Sequence, residues 1–324
     1  MRRTTIKKKH NKMKHNKMKQ NRMKTKKNNR YKKANGGSKH LEKVNCSPKD
    51  KSEKNDFTCY TDKTLYKLRD LWNARHPDRK ITATESKEIH SILTGYLSNA
   101  CNKESCWLKQ KHDFGKINVK RVLEDSFAPK SPEEWKKNPN EWLTSVDIIK
   151  VMKQYEKAYK CFDFIGPTPI DFDTKQMYGE CVWEELCNFS LAEQIKKGKT
   201  KIGIIFNTDP HNKPGQHWIS MFINIKTHQI FFFDSTGDPP PKEIMTFVER
   251  IQKQGQHLNP PVKLKFDSNE EVEHQYGDTE CGMYSLFFIA HMLEDKVTSH
   301  YMKTHILKDE YMQKFRKVYF NDEL

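Results

Sequence analysis

Gln275-Tyr276-Gly277-Asp278-Thr279-Glu280-Cys281-Gly282-Met283-Tyr284-Ser285-Leu286-Phe287-Phe288-Ile289-Ala290-His291-Met292-Leu293 is the stretch on which the reading of this chain turns. After Cys281, apolar residues recur at Met283, Leu286, Phe287, Ala290 and Leu293, the spacing of a helix that buries one side. Cys281 then opens that helix. Unpaired backbone N–H groups and the positive end of the helix dipole favour a thiolate there, the reactive form of cysteine. A cysteine leading an apolar helix is ordinarily an inert core thiol. Chemistry requires partners: a base to take the proton, a carboxylate to orient the base, and donors for the oxyanion.

Those partners lie upstream. Residues 201–208, 217–226 and 229–235 read as strands, and Lys226-Thr227-His228 is a hairpin turn between the last two. The start of one strand and the end of its hairpin partner share a sheet edge, so His217 and Asp234 come within reach of each other. Asp234 also precedes Ser235-Thr236-Gly237, a setting that suits an Asx turn. With Gln275 and the backbone N–H of Cys281 as oxyanion donors, the set supports nucleophilic acyl transfer. Cys281 attacks a carbonyl, His217 moves the proton, and Asp234 holds the imidazole.

The remaining elements frame this set. Leu65, Leu68, Leu71 and Trp72 fall on one helical face that His76-Pro77 ends, and Thr82 with Glu85 predicts a capping box for a second helix through Ile89, Leu93 and Leu97. Ser131-Pro132-Glu133-Glu134 reads as a helix start, and Asn138-Pro139-Asn140 as a domain boundary. Trp142-Leu143 leads into a helix carrying Ile148, Val151, Met152, Tyr155 and Tyr159. A further helix is expected over residues 242–252 and a fourth strand over 262–266. Segregated helices with a short mixed sheet give an α+β fold.

Only 35% of the 324 residues are hydrophobic, and the reason is local. Residues 1–40 hold 17 Lys and Arg and no acidic residue, so the whole formal charge of +17 sits in this arm and the rest of the chain is balanced. The arm, with its repeat at His10-Asn11-Lys12-Met13-Lys14 and His15-Asn16-Lys17-Met18-Lys19, reads as disordered. Its functional reading is attraction to nucleic acid or another polyanion; its bland one is a solvated terminus. No apolar segment fits a secretory signal or a membrane span. The eight scattered cysteines read as free thiols in a reducing compartment. Neither Cys101 to Cys106 nor Cys181 to Cys187 has the spacing of a zinc knuckle, so no metal site and no cofactor are expected.

The His217-Trp218 pair, Asp234 seventeen residues on, and Gln275 followed by five residues and Cys281-Gly282 resemble the motif of one cysteine peptidase family. That family comprises adenovirus endopeptidase (adenain) and the SUMO-deconjugating ubiquitin-like-protein proteases. Trp142-Leu143 followed by Ile148, Ile149 and Met152 is similar to the helix that opens its catalytic domain. The resemblance covers roughly residues 141–324. It implies a papain-like (adenain-type) core, a Cys281-His217-Asp234 triad and a Gln275 oxyanion donor. Trp142 and Trp218 would close a tunnel over a Gly-Gly substrate segment, since only residues without side chains fit beneath two indoles.

Two departures stand out. Ser145 replaces an Asp that helps deconjugating enzymes hold their modifier, and Glu280, longer than the usual Asp, would oppose the thiolate if it faced inward. The helical region before the catalytic domain looks more like the proteases of large cytoplasmic DNA viruses, which cut capsid precursors after Gly-Gly or Ala-Gly pairs. The expected organisation is a basic arm at 1–40, a linker and helical accessory region at 41–140, and a peptidase domain at 141–324. The expected function is cleavage of viral structural precursors at Gly-Gly-Xaa sites, in the virion or at its assembly site in host cytoplasm. The alternatives are a processing protease for ubiquitin- or SUMO-like modifiers and a catalytically silent scaffold tethered to nucleic acid. Asn35-Gly36-Gly37-Ser38 itself fits the implied specificity and also reads as a plain flexible linker.

Overall fold

The computed structural model describes residues 41–115 and 117–322, so the basic arm and Asn35-Gly36-Gly37-Ser38 lie outside the described residues. The chain divides into one unit of Met1–Val44 with Asn55–Leu123 and a second of Asn45–Lys54 with Glu124–Leu324. The boundary expected at Asn138-Pro139-Asn140 is a turn inside the second unit.

The first unit is helical. In α1 (Asp62–Arg75) the Thr61 side chain accepts from the N–H of Thr64, and His76 closes the helix just before Pro77. The second helix, α2 (Ser86–Leu97), starts at Ser86 with Glu85 as its cap residue and no side-chain cap bond, so the capping box expected from Thr82 does not form. Thr82 stands three residues before the cap position, and the stretch before the helix is tied to α1 instead: the Asn73 side chain accepts from the N–H of Ile81 at 2.7 Å and donates to the Ile81 carbonyl at 2.9 Å. Two short turns follow, α3 (Glu104–Trp107) and α4 (Lys111–Phe114), and α5 (Val119–Ser126) then runs across the division at Leu123. Leu65, Leu68, Trp72, Ile89, Leu93, Leu97, Trp107 and Phe114 are all fully or almost fully buried. Trp72 stacks on Tyr96 with ring centroids 5.0 Å apart.

The second unit contains a short 3-10 turn at Glu133–Lys136, at the helix start read from Ser131-Pro132-Glu133-Glu134. Next come α6 (Ser145–Ala158), β1 (Phe162–Pro169), the short helices α7 (Glu184–Cys187) and α8 (Leu191–Lys196), then β2 (Lys201–Asn207), β3 (Trp218–Asn224) and β4 (Gln229–Phe233). After these lie α9 (Lys242–Gln256), β5 (Lys265–Ser268), α10 (Cys281–Leu293), α11 (Ser299–Thr304) and α12 (Asp309–Tyr319). The five strands form one mixed sheet in the order β1-β2-β3-β4-β5. The outer pairs are parallel and the two inner pairs antiparallel.

Both faces of the sheet are covered, which is why the central strands read as nearly continuous apolar runs. Phe162, Phe164, Ile205, Phe222, Phe231 and Phe233 pack with α6 and α10 on one face. Ile202, Ile204, Ile219, Met221, Ile230 and Phe232 pack with α9 on the other. Gly203 permits the close approach of α10, since a Cβ there would stand 2.7 Å from a methyl of Ile289. In α10 every residue except His291 is buried, more than the one-sided burial expected of it.

The free-thiol expectation is corrected. Cys101 is bonded to Cys106 and Cys181 to Cys187, and Cys161 and Cys281 are free thiols. The turns between the partners bring their Cα atoms to 5.5 and 6.2 Å, inside the range that a disulfide spans.

Candidate active site

The β3-β4 hairpin brings His217 and Asp234 together. Ser220 pairs with Phe233 across the two strands, so His217, just before β3, and Asp234, just after β4, emerge at the same edge. Nε2 of His217 donates to Oδ1 of Asp234 at 2.7 Å. This bond leaves Nδ1 as the ring nitrogen available to the Cys281 thiol, whose interaction with the ring helps raise its pKa. Burial works against a charged ring, but the bonds and charges of Asp234 and Cys281 outweigh it and push the His217 pKa up to about 10.

Asp234 is buried and held from several sides. Its Oδ1 also accepts from the backbone N–H and the hydroxyl of Thr236, so the Asx turn and the histidine contact coexist on one oxygen. Asn269, fully buried, clamps the Asp234 backbone: it accepts from its N–H at 2.9 Å and donates to its carbonyl at 2.6 Å. Nothing at the sequence level singled out Asn269, which sits one residue beyond the short edge strand β5.

Cys281 is 2% exposed and is the first residue of α10. Glu280 behind it does not oppose a thiolate. Arg316 of α12 grips both its carboxylate oxygens, Nε to Oε2 at 3.0 Å and Nη2 to Oε1 at 2.9 Å. The same guanidinium donates to the Glu141 carbonyl at 2.8 Å and lies over the Trp135 ring at 4.5 Å. One side chain thus fixes both the residue before Cys281 and the residue before Trp142.

Gln275 is buried beside this centre, with backbone and side chain both bound to Ser235. Its amide nitrogen donates to the Gly277 carbonyl at 2.5 Å. An amide carries two N–H groups, so one remains for an oxyanion. The loop between Gln275 and Cys281 is anchored by Asp309, whose Oδ2 accepts from the N–H groups of Tyr276 and Gly277 at 3.0 and 2.9 Å. Tyr284 ties in from α10 by donating its hydroxyl to the Leu307 carbonyl at 2.6 Å.

The two tryptophans expected at the site are placed differently. Trp218 opens β3 and donates its indole N–H to the Leu143 carbonyl at 3.1 Å. Trp142 is 37% exposed. Leu143 and Trp218 close on Gly282: a Cβ there would stand 3.1 Å from Leu143 Cβ and 3.3 Å from Trp218 Cδ1. Ser145 is the first residue of α6, and the neighbouring carboxylate, Asp147, is spent on the capping box with Thr144. The arrangement can form a thiolate-imidazolium pair beside a narrow apolar approach.

A family model described as the Ulp1 protease family, C-terminal catalytic domain, matches residues 152–324. A chain from Acanthamoeba polyphaga mimivirus described as a thiol protease is 26% identical over 295 residues, covering 86% of this chain and 93% of that one. A cysteine protease of African swine fever virus is 28% identical over 248 residues, 71% of this chain and 88% of its own. The corresponding protein of another isolate, named a SUMO-1 cysteine protease, matches to the same extent. A crystal structure of the African swine fever virus protease shares the fold, with a TM-score of 0.62 at 22% identity over 86% of this chain and 96% of that one. With more than half of its length matched and the thiol, imidazole and carboxylate in place, the chain belongs to the Ulp1 protease family and is a cysteine protease.

Proposed function

We propose that this protease matures viral structural precursors, cutting after Gly-Gly-type pairs at an assembly site in host cytoplasm or in the virion. Cys281 attacks the scissile carbonyl as a thiolate, and His217 gives its proton to the leaving amine. Water, deprotonated by His217, then hydrolyses the thioester and restores the thiol. Asp234 keeps Nε2 protonated and Nδ1 aimed at sulfur. The backbone N–H of Cys281 and the free amide N–H of Gln275 receive the oxyanion, each donor contributing about 3 kcal/mol. The observation that carries this reading is the His217 ring bonded to Asp234 at 2.7 Å and interacting with a thiol at a helix N-terminus.

Glycine preference follows from the approach. A thiol only 2% exposed, beside a Gly282 already hemmed in by Leu143 and Trp218, is best reached by a chain without side chains. Similarity to the mimivirus protease covers 86% of the chain, well beyond the catalytic model, which favours the viral reading. The relative named a SUMO-1 cysteine protease favours modifier processing as the second reading. Turnover of peptides containing Gly-Gly-Xaa, set against full-length SUMO and ubiquitin precursors, separates the two. Rapid cleavage of the folded modifiers alone would sink the maturation reading.

The raised His217 pKa has a sign that can be tested. The imidazolium form persists up to about pH 10 and is lost above it, so kcat/KM should hold through the neutral range and fall only along an alkaline limb well above 6.5. In Asp234→Asn that limb should move toward neutrality, because a carboxylate charge that favours the imidazolium is gone. A pH profile of both proteins measures it.

The basic arm of residues 1–40 we assign to nucleic acid or a similar polyanion. Binding should weaken steeply with salt and disappear when the arm is deleted.

A further inference from the structure

One side-chain cluster in the first unit takes no part in the chemistry above. His76 closes α1, and its imidazole stacks on Trp72 with ring centroids 4.0 Å apart. Nε2 of His76 is sealed from solvent and makes no hydrogen bond, although Oδ1 of Asp113 lies 3.2 Å away. Asp113, in α4, is only 4% exposed. The same oxygen lies 3.4 Å from Nδ1 of His112. The three ligand atoms all fall within 4.8 Å of one another.

These contacts are long for charge-assisted hydrogen bonds, which settle at roughly 2.7–2.9 Å. They match something else. Nitrogen and oxygen ligands held about 2.0–2.2 Å from a tetrahedral ion stand about 3.3–3.6 Å from each other. The 3.2 and 3.4 Å separations are such edges, with the Asp113 oxygen at their common corner. The His112 side chain is 84% exposed and can turn to complete the third edge.

We propose that His76, His112 and Asp113 bind a divalent transition-metal cation, with zinc the metal that best suits two imidazoles and one carboxylate. The fourth position opens onto a small cleft lined by Tyr96, Asn99 and Gln110, so solvent completes the coordination. The ion links the C-terminal end of α1 to α4, 36 residues downstream, and braces a unit whose α3 and α4 are single turns of four residues each. Metal binding of this kind contributes to folding stability directly. No spacing motif announces the site, because one ligand lies far from the other two in sequence.

The test uses the full chain carrying Cys281→Ala, which removes the active-site thiol beside His217 as a competing zinc ligand. The protein is stripped with chelator and titrated with zinc chloride by calorimetry, and its melting temperature is read with and without the metal. One zinc per chain should bind and raise the melting temperature. Asp113→Asn and His112→Ala should each weaken binding by about 100-fold or more. His112 is exposed, so its variant keeps the fold, as circular dichroism will report. No saturable zinc binding to the Cys281→Ala chain, or binding that both variants leave unchanged, would overturn the proposal. In the first case the cluster is a sealed ion pair; in the second the metal sits elsewhere.

Discussion

His217→Ala is expected to lower kcat/KM by about 10⁴-fold or more, because it removes the base, the acid and the cation that stabilises the thiolate in one step. The fold should barely notice. Asp234 loses one partner but keeps the N–H and hydroxyl of Thr236 on the same oxygen, and its backbone stays clamped by Asn269. No buried carboxylate is orphaned, so the melting temperature should stay within a few degrees of wild type. Asp234→Asn should be far milder, since an amide oxygen still accepts from Nε2, as in sites built from Cys, His and Asn. Steady-state kinetics and thermal unfolding of the two variants check both halves. A His217→Ala protein that retained a tenth of wild-type activity would remove His217 from the mechanism.

The second large effect belongs to Arg316. It and Glu280 are both buried, and the fork between them stands one residue before Cys281. Arg316→Ala leaves the Glu280 carboxylate buried and unpaired, at a cost of about 3–5 kcal/mol. That is a large part of the roughly 5–15 kcal/mol that holds a typical domain folded. It also frees the carbonyls of Glu141 and Thr279 from the guanidinium, loosening the segments that lead to Trp142 and Cys281. Denaturant unfolding should show the loss, and activity should fall with it. Arg316→Lys should be intermediate, because an ammonium keeps the charge but not the fork. Adding Glu280→Gln to Arg316→Ala should recover much of the stability. If Arg316→Ala stayed within about 1 kcal/mol of wild type, the pair would not be the anchor described here.

The places of Cys281, His217, Asp234 and Gln275 were readable in the sequence because each reports its position through a local rule. A thiol heads an apolar helix, a histidine and an aspartate bracket a hairpin, and glutamine precedes the cysteine by a fixed loop. What supports them was not readable. Arg316 and Asp309 lie on α12, a polar, one-faced helix at the chain's end, and their roles depend on contacts 32 to 176 residues away in sequence. Asn269 acts from the end of a four-residue strand. β1 went unread because Gly166, Pro167 and Pro169 break its apolar run, which an edge strand tolerates and a central one does not. The disulfides were missed for another reason: their partners are drawn together by local turns, while the expectation rested on compartment. Glu280 shows the same limit from the other side. Its charge was visible in the sequence and its neutraliser was not.

Two free thiols make the central claim directly testable. Cys161 is partly exposed, whereas Cys281 is buried at 2%. If accessibility alone governed reactivity, an electrophile would find Cys161 first. The decisive measurement is peptide mapping by mass spectrometry after brief exposure to a Gly-Gly peptide vinyl sulfone, in wild type and in His217→Ala. A single adduct on Cys281, formed rapidly in wild type and at least about 100-fold more slowly in His217→Ala, is the predicted result. Labelling of Cys161 with Cys281 untouched, or a Cys281 adduct forming equally fast without His217, would contradict it.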